Sequence, residues 1–494
     1  MRDMANNSAE YLLGLDQGST NSKAVLVNRR GRIIRQAVVP LKTSRPRPGW
    51  VEHDPKAILA SQFGAVVKLL RAVGKRDAVS ALGIANQRST IILWDKHTGR
   101  PLTSAVSWQD LRAAELTRQW ADHRELIRSK TGLMLTPYYS APKLRWLLDH
   151  VKGLRAQAER GRILCGTVNT FLIWHLTKGE VHATDHTNAA RMLLMNLHSL
   201  SWDEELLSLF NIPPAILPRI LPASADYGTA RLAGVEISIR ASIGDQQAGL
   251  LGLGAVRPGE AVVNYGTGGF LLVNTGLQPI LLPGLLSSLA WTTPGETSYV
   301  VEGTVNAVGT VFDRLREFGW LKSHDEIDRI IKSSREHVYL VPALAGLGAP
   351  HWLSEARMSI FGLGPTTTTA DLVRAAVEGI AFLIKDNAEV IKRDGRIRIK
   401  TLTAGGGGSR IQSLVQTQAD LLGLTIRRSE VTEATALGAA LLAGVGSGWW
   451  KSPSAAPTMT AGKVFRPRMS ETEREERYGQ WKKAIEAVRI FSGG

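Results

Sequence analysis

A two-lobed α/β protein is the fold class this sequence predicts, and three observations predict it. With 494 residues the chain exceeds the size at which one hydrophobic core stops growing, so two lobes with a ligand-accepting cleft between them are expected. Strand-like runs bounded by glycine turns are interspersed with helical periodicity, which argues for mixed α/β rather than all-β structure. One pattern, an apolar run, a glycine turn with hydroxyl side chains and a second apolar run, occurs at Leu13 to Val27 and again at Ala261 to Val273, about 250 residues later.

Taken in order, short strand-like runs open the chain at Tyr11 to Leu15, Lys23 to Val27 and Arg32 to Val39. Asp54 as N-cap and Pro55 at the first helical position start a helix expected to run through Ala72. Alternation returns in Val79 to Ala85 and Thr90 to Trp94. Helical periodicity prevails between about Asp110 and Asp226, which reads as a helical insertion, and a β-like Ile239 to Ile243 then leads into a helix Gln246 to Leu253. In the second half the repeated hairpin is followed by a strand pair, Ser287 to Trp291 and Ser298 to Val301, and by a helix from Asn306. A third glycine cluster, Ala404-Gly405-Gly406-Gly407-Gly408-Ser409, lies between a β-like Ile397 to Leu402 and a helical Ile411 to Leu422. Such a loop lets a phosphate or a planar group approach the backbone and the helix N-terminus. The apolar, glycine-rich Ala436 to Trp450 is too short to span a bilayer and reads as a closely packed buried helix. The division expected is 1–253 and 254–494.

Composition narrows the class. The chain is 44% hydrophobic and 21% charged, ordinary for a globular protein. A net charge of +16 attracts anions in general, but the basic residues are scattered; the short runs at Asn28 to Arg32 and Lys392 to Arg398 sit at glycine turns, and no zinc-finger or RNP-like motif accompanies them. A nucleic-acid partner is therefore not expected. The single Cys165 excludes an intrachain disulfide, and Met1 to Asn7 has no apolar run of a secretory signal, so a cytoplasmic setting is expected, with no membrane span.

Within the first hairpin, Leu13-Gly14-Leu15-Asp16-Gln17-Gly18-Ser19-Thr20 is not a P-loop, since G-x-x-x-x-G-K-[ST] is absent and a strand follows. Its small hydroxylated turn can turn backbone N–H groups toward phosphate, or can be a plain hairpin turn with Asp16 as an Asx residue. Thr267 can bond phosphate or be a β-branched hairpin residue. Asp245 can be a helix cap or a reacting carboxylate.

The order of several motifs resembles the FGGY family of carbohydrate kinases: Asp16-Gln17-Gly18-Ser19-Thr20, Pro48-Gly49-Trp50-Val51-Glu52-His53-Asp54-Pro55, Asn86-Gln87-Arg88, Gly244-Asp245-Gln246-Gln247-Ala248, Tyr265-Gly266-Thr267-Gly268, Gly346-Leu347-Gly348-Ala349-Pro350 and Ala434-Thr435-Ala436-Leu437-Gly438-Ala439-Ala440. The match runs from about Tyr11 to Lys483, and the second and fourth motifs look most like the glycerol kinase branch. The resemblance implies two RNase H-like domains of the actin-like ATPase type closing over ATP, Mg²⁺ and a polyol or sugar. It carries Asp245 over as catalytic base and Asp16 as organiser of the Mg²⁺. Arg88, Ser89, Trp108, Tyr138, Asp245, Gln246 and Phe270 are carried onto the polyol pocket. Ser19, Thr20, Lys23, Gly266, Thr267, Gly406, Gly407 and Gln412 are carried onto the nucleotide. It also implies a homo-oligomer, a dimer or a tetramer.

Four departures from the pattern stand out. Ser89 occupies the position where glycerol kinases usually place Glu after the Arg; losing hydrogen bonds to a charged acceptor costs about 1.5 to 3 kcal/mol, and the shorter side chain leaves room for a longer substrate such as a tetritol or a ketose. Lys23 stands where many members have Arg, keeping the charge without the planar fork. Gln412 lies near the usual Asn beside the nucleotide, and Ala230 to Val235 lacks the longer glycine-rich effector loop of some bacterial glycerol kinases. Two readings from other classes compete: an actin-like switch that uses ATP to drive domain closure, and a nucleic-acid binder drawn by the positive charge.

Overall fold

The computed structural model describes residues 10–71, 78–232, 234–458 and 462–493. Met1 to Asn7, Ala72 at the expected end of the first helix, and Ala233 of the short 230–235 loop lie outside the described residues.

The repeated hairpin grammar produces two sheets, of six and seven strands, that share a five-strand core. In the first, Ile33–Pro40, Asn21–Val27 and Glu10–Gln17 form an antiparallel meander, and Ala78–Asn86 and Val235–Gly244 continue it in parallel. In the second, Glu296–Val305, Gly269–Gly276 and Glu260–Tyr265 form the meander, and Thr401–Gly405 and Ile426–Arg428 continue it in parallel. Three antiparallel strands followed by two parallel ones, built twice, make the two-domain α/β architecture expected from the duplicated openings.

Strand Ala78–Asn86 is buried at every residue from Ala81 onward, where alternation with a polar face was expected. It is a central strand with apolar packing on both sides: Leu82 and Ile84 join a core with Phe171 and Leu172, while Ala81 and Ala85 join another with Ala436 and Ala439. The second contact comes from helix Ala434–Gly446, the glycine-rich apolar segment read as a packed helix. It lies so close to the first sheet that a Cβ on Gly14 would stand 2.0 Å from the Ala436 carbonyl oxygen, and one on Gly83 2.0 Å from that of Ala439. Small residues here set the distance between the two halves of the chain.

Helix Pro55–Leu70 starts as expected, with Asp54 accepting from the Lys56 N–H. The insertion is not purely helical. Alongside helices such as Ser140–His150 and Val168–Leu176 it contains strand Ile163–Thr167, which pairs with Ile91–Asp95, and strand Ala183–Asp185, which pairs with Arg219–Leu221. In the second half the helix expected from Asn306 begins at Gly309, because the Val308 and Gly309 N–H groups are drawn to the Thr267 and Gly266 carbonyls of the hairpin. The strand before the third glycine cluster is Thr401–Gly405 rather than Ile397 to Leu402. Among the described residues no helix is long and apolar enough to cross a membrane.

Candidate functional site

The first hairpin places Asp16 directly across from Lys23, and its turn closes through the Gly18 N–H to the Asn21 carbonyl at 3.0 Å. Asp16 is 9% exposed. Burial pushes its carboxyl up to about 7; Lys23 draws it down, and Asp245 and Glu433 push it further up. Lys23 is already engaged, its Nζ 2.6 Å from Glu433 Oε2. Among the described residues, Asp16 therefore sits in an acidic spot where the adjacent cation, Lys23, is already paired.

The second hairpin pairs Tyr265 with Gly269 and is braced by the residues that delay the following helix. The third glycine loop presses onto it. Gly406 has φ +81° and a Cβ there would meet the Tyr265 carbonyl oxygen at 2.4 Å, so both conformation and space require glycine. Nothing lies within 4 Å of a Cβ position on Gly407, which faces open space. Gln412 opens helix Gln412–Leu422 at the surface, with its side-chain oxygen accepting from Lys463 and its N–H bonded to Asp328.

A cavity of about 470 Å³ opens between the two sheets. Arg88, Ser89, Trp108 and Tyr138 line it from the first sheet and the insertion; Asp245 and Gln246 enter from the start of helix Asp245–Gly252, and Gly266, Thr267 and Phe270 from the second hairpin. Asp16, Ser19, Thr20, Lys23, Gly406, Gly407 and Gln412 are not part of its wall. Two of these are linked to it: Ser19 Oγ accepts from Trp108 Nε1 at 3.1 Å, and the charge of Asp245 is felt at Asp16.

Asp245 is no helix cap. Gly244 occupies the cap position, and Asp245 Oδ1 accepts only from the adjacent Gln246 N–H while Arg88 Nε stands 3.2 Å away. Burial raises its pKa and Arg88 draws it back, leaving it above an ordinary aspartate. Arg88 is itself held from behind, with Nη1 3.0 Å from Glu302 Oε2. Arg191 Nη2 reaches the other oxygen of the same carboxylate at 2.5 Å. Burial alone would raise the Glu302 pKa, but Arg191 and Arg88 outweigh it and hold it down to about 2, so this fully buried carboxylate stays ionised and locks Arg88 toward Asp245. Glu302 and Arg191 were missed in the sequence. A charge inside the apolar run Tyr299-Val300-Val301-Glu302 is a signal that could have exposed the first; Arg191 follows a short helix with no comparable mark.

Ser89 adopts φ +64° and donates its hydroxyl to the Arg191 carbonyl at 3.1 Å, so its side chain is turned to the protein frame. The Pro48 to Pro55 motif holds the wall from outside: Arg112 stacks 3.8 Å over the Trp50 ring and pairs with Glu52 at 2.6 Å, and Asp110 accepts from the Val51 N–H.

Two family models match this chain: that of the N-terminal domain of the FGGY family of carbohydrate kinases over residues 11–252, and that of its C-terminal domain over residues 261–447. The chain belongs to the FGGY family of carbohydrate kinases. This FGGY kinase is 45% identical to a glycerol kinase of Thermus brockianus, covering 97% of this chain and 99% of the relative, and 41% identical to glycerol kinase 2 of Thermotoga maritima, covering 96% and 98%. Among solved structures it superposes on Plasmodium falciparum glycerol kinase with ADP at a TM-score of 0.91, with 32% identity over 97% of this chain and 98% of that one.

Proposed function

We propose that this FGGY kinase transfers the terminal phosphoryl group of ATP to a hydroxyl of glycerol, giving glycerol 3-phosphate. The observation that carries the reading is that Asp245 lines the same cavity as Thr267 of the second hairpin and as the aromatic side chains of Trp108, Tyr138 and Phe270. The near full-length likeness to glycerol kinases supports the choice of polyol. It favours glycerol over the tetritol or ketose that the Ser89 departure had put forward, and a phosphotransferase over an ATP-driven switch.

Phosphoryl transfer asks for alignment, charge neutralisation and a base for the attacking hydroxyl. Asp245 is the base in this reading: Oδ1 is occupied by Arg88 and the Gln246 N–H, which leaves Oδ2 to take the hydroxyl proton. Arg88 and Gln246 orient the polyol hydroxyls, the aromatic side chains pack against its carbon skeleton, and Ser89 leaves space beside them. Ser19, Thr20 and Lys23, with Gly266 and Thr267, take the phosphates; Gly406, Gly407 and Gln412 border the adenosine.

Asp16 fits the Mg²⁺ site. It is a buried carboxylate close enough to Asp245 and Glu433 to feel their charge, so a divalent cation would relieve a repulsion that Lys23, paired to Glu433, leaves in place. Among the described residues no three His, Cys, Asp or Glu side chains converge as an all-protein metal site, in keeping with an ion held by one carboxylate, water and phosphate oxygens. When bound, Mg²⁺ supplies charge neutralisation at the phosphates. We take residues 1–253 and 254–494 as the closing units and a dimer or tetramer as the assembly, on the family pattern, in a cytoplasmic setting and without a nucleic-acid partner.

A coupled assay of ADP release over glycerol, erythritol, xylulose and ribulose tests the choice of substrate. Glycerol is expected to give the highest kcat/KM. A tetritol or ketose outperforming it by tenfold or more would reassign the pocket.

A further inference from the structure

In Asn86-Gln87-Arg88, Arg88 reaches the cavity, while Gln87 is 1% exposed and is not part of the cavity wall. All of its polar groups are nonetheless engaged, and most of them in one direction. Its N–H donates to the Gln17 carbonyl at 2.8 Å, and Nε2 donates to the Gly18 carbonyl at 3.2 Å. Its carbonyl accepts from Asn86 Nδ2 at 2.9 Å. Oε1 accepts two hydroxyl protons, from Ser19 Oγ at 3.1 Å and from Thr90 Oγ1 at 3.0 Å.

Those two hydroxyls meet again on Trp108. Ser19 Oγ accepts from Trp108 Nε1 at 3.1 Å, and Thr90 Oγ1 accepts from the Trp108 N–H at 3.1 Å. The four bonds close a ring, Gln87 to Ser19 to Trp108 to Thr90 and back. Its polarity is fixed. Each hydroxyl gives its single proton to Gln87 and so can only accept from Trp108. One side of the ring is the turn at residues 18–20, and the other is an aromatic wall of the cavity. A side chain that merely filled the core would have no need to join them, and a turn brace would stop at Gly18.

We propose that Gln87 is a positioning residue that couples ligand binding at Trp108 to nucleotide-phosphate binding at the 18–20 turn, so that each ligand raises the affinity for the other. A ligand that fixes the Trp108 ring fixes Nε1, hence Ser19 Oγ, hence the turn; a phosphate on the turn does the reverse. Reciprocity follows from linkage, and couplings of this kind are typically about 5- to 150-fold. The identities of the two ligands rest on the function proposed above.

Calorimetric titration of ADP in the presence of Mg²⁺, with and without saturating glycerol, and of glycerol with and without ADP, reads the coupling without turnover. For the wild type both titrations are expected to give the same factor, at about fivefold or more. Gln87→Met removes both acceptor bonds, and Thr90→Val, at a buried residue outside the cavity wall, opens the other side of the ring while leaving Trp108 in place. Both variants are expected to lower the factor, Gln87→Met to near one, while each ligand alone still binds. A wild-type factor in either folded variant overturns the proposal, as does a wild-type protein that binds both ligands independently. If Gln87→Met does not fold, Thr90→Val decides. A wild type that binds ADP but shows no affinity for glycerol in any state would overturn the proposed function, and this coupling with it.

Discussion

Asp16 carries the sharpest consequence at the scale of single residues. Its folded pKa of about 7 lies above the 3.8 of an unperturbed aspartate, so the folded state holds this proton through a range where the unfolded chain has lost it. The associated stability is full below about pH 4 and is lost as pH rises through about 7. Roughly three pK units correspond to at most about 4 kcal/mol. Melting curves recorded without nucleotide or divalent cation should therefore fall between about pH 4 and 7. Asp16→Asn should flatten that fall, and an unchanged slope would contradict the raised pKa. Mg²⁺ with ADP should stabilise the wild-type protein at pH 8 more than Asp16→Asn; equal stabilisation of the two would remove Asp16 from the cation site. The residues at this scale were legible in uneven measure. Asp16, Arg88 and Asp245 stand in motifs that single them out, and of these Arg88 and Asp245 line the cavity. Glu302 and Arg191 come to the pocket from a strand and a helix end more than a hundred residues apart, and only folding makes them a pair. Ser89 was legible as a departure, but its left-handed backbone and its bond to Arg191 were not.

Among the elements, helix Ala434–Gly446 has the most to lose from a small change. Gly14 and Gly83 on the sheet, and Gly252 and Gly438 between the helices, each leave less than 2.1 Å between an added Cβ and a backbone carbonyl oxygen. Backbone cannot yield as a flexible side chain can, so Gly83→Ala should cost about 3 kcal/mol or more in denaturant unfolding. Gly479, inside helix Glu471–Phe491 with nothing near its Cβ position, is the control; Gly479→Ala should stabilise by about 0.5–1 kcal/mol. Equal effects at both sites would contradict the close packing. Element types were readable where periodicity was strong, as in Pro55–Leu70 and the two hairpins. They were misread where tertiary contacts override local pattern: the strands inside the insertion are short, one recruited by Ile91–Asp95 and another paired with Arg219–Leu221, and the helix after Asn306 waits until the hairpin has taken its first N–H groups.

For the molecule as a whole, the repeated opening forecast two sheets with a common core, and the cavity lies between them, walled by the second hairpin and reached by the first only through Ser19 and Trp108. What the sequence could not convey is how the halves are held at that spacing. The glycines that set it are scattered from Gly14 to Gly438, and within the first half Gln87 bridges the 18–20 turn to the Trp108 wall through hydroxyls that look ordinary in one dimension. The central claim is that one carboxylate in this shared cavity activates an alcohol for phosphorylation. The most direct measurement follows ADP and glycerol 3-phosphate together, with and without glycerol, in the wild type and in Asp245→Asn. The account predicts ADP formation that requires glycerol, matches glycerol 3-phosphate in amount, and falls about 10²- to 10⁴-fold in Asp245→Asn with glycerol still bound. ATP hydrolysis that proceeds without glycerol and is indifferent to Asp245→Asn would contradict it.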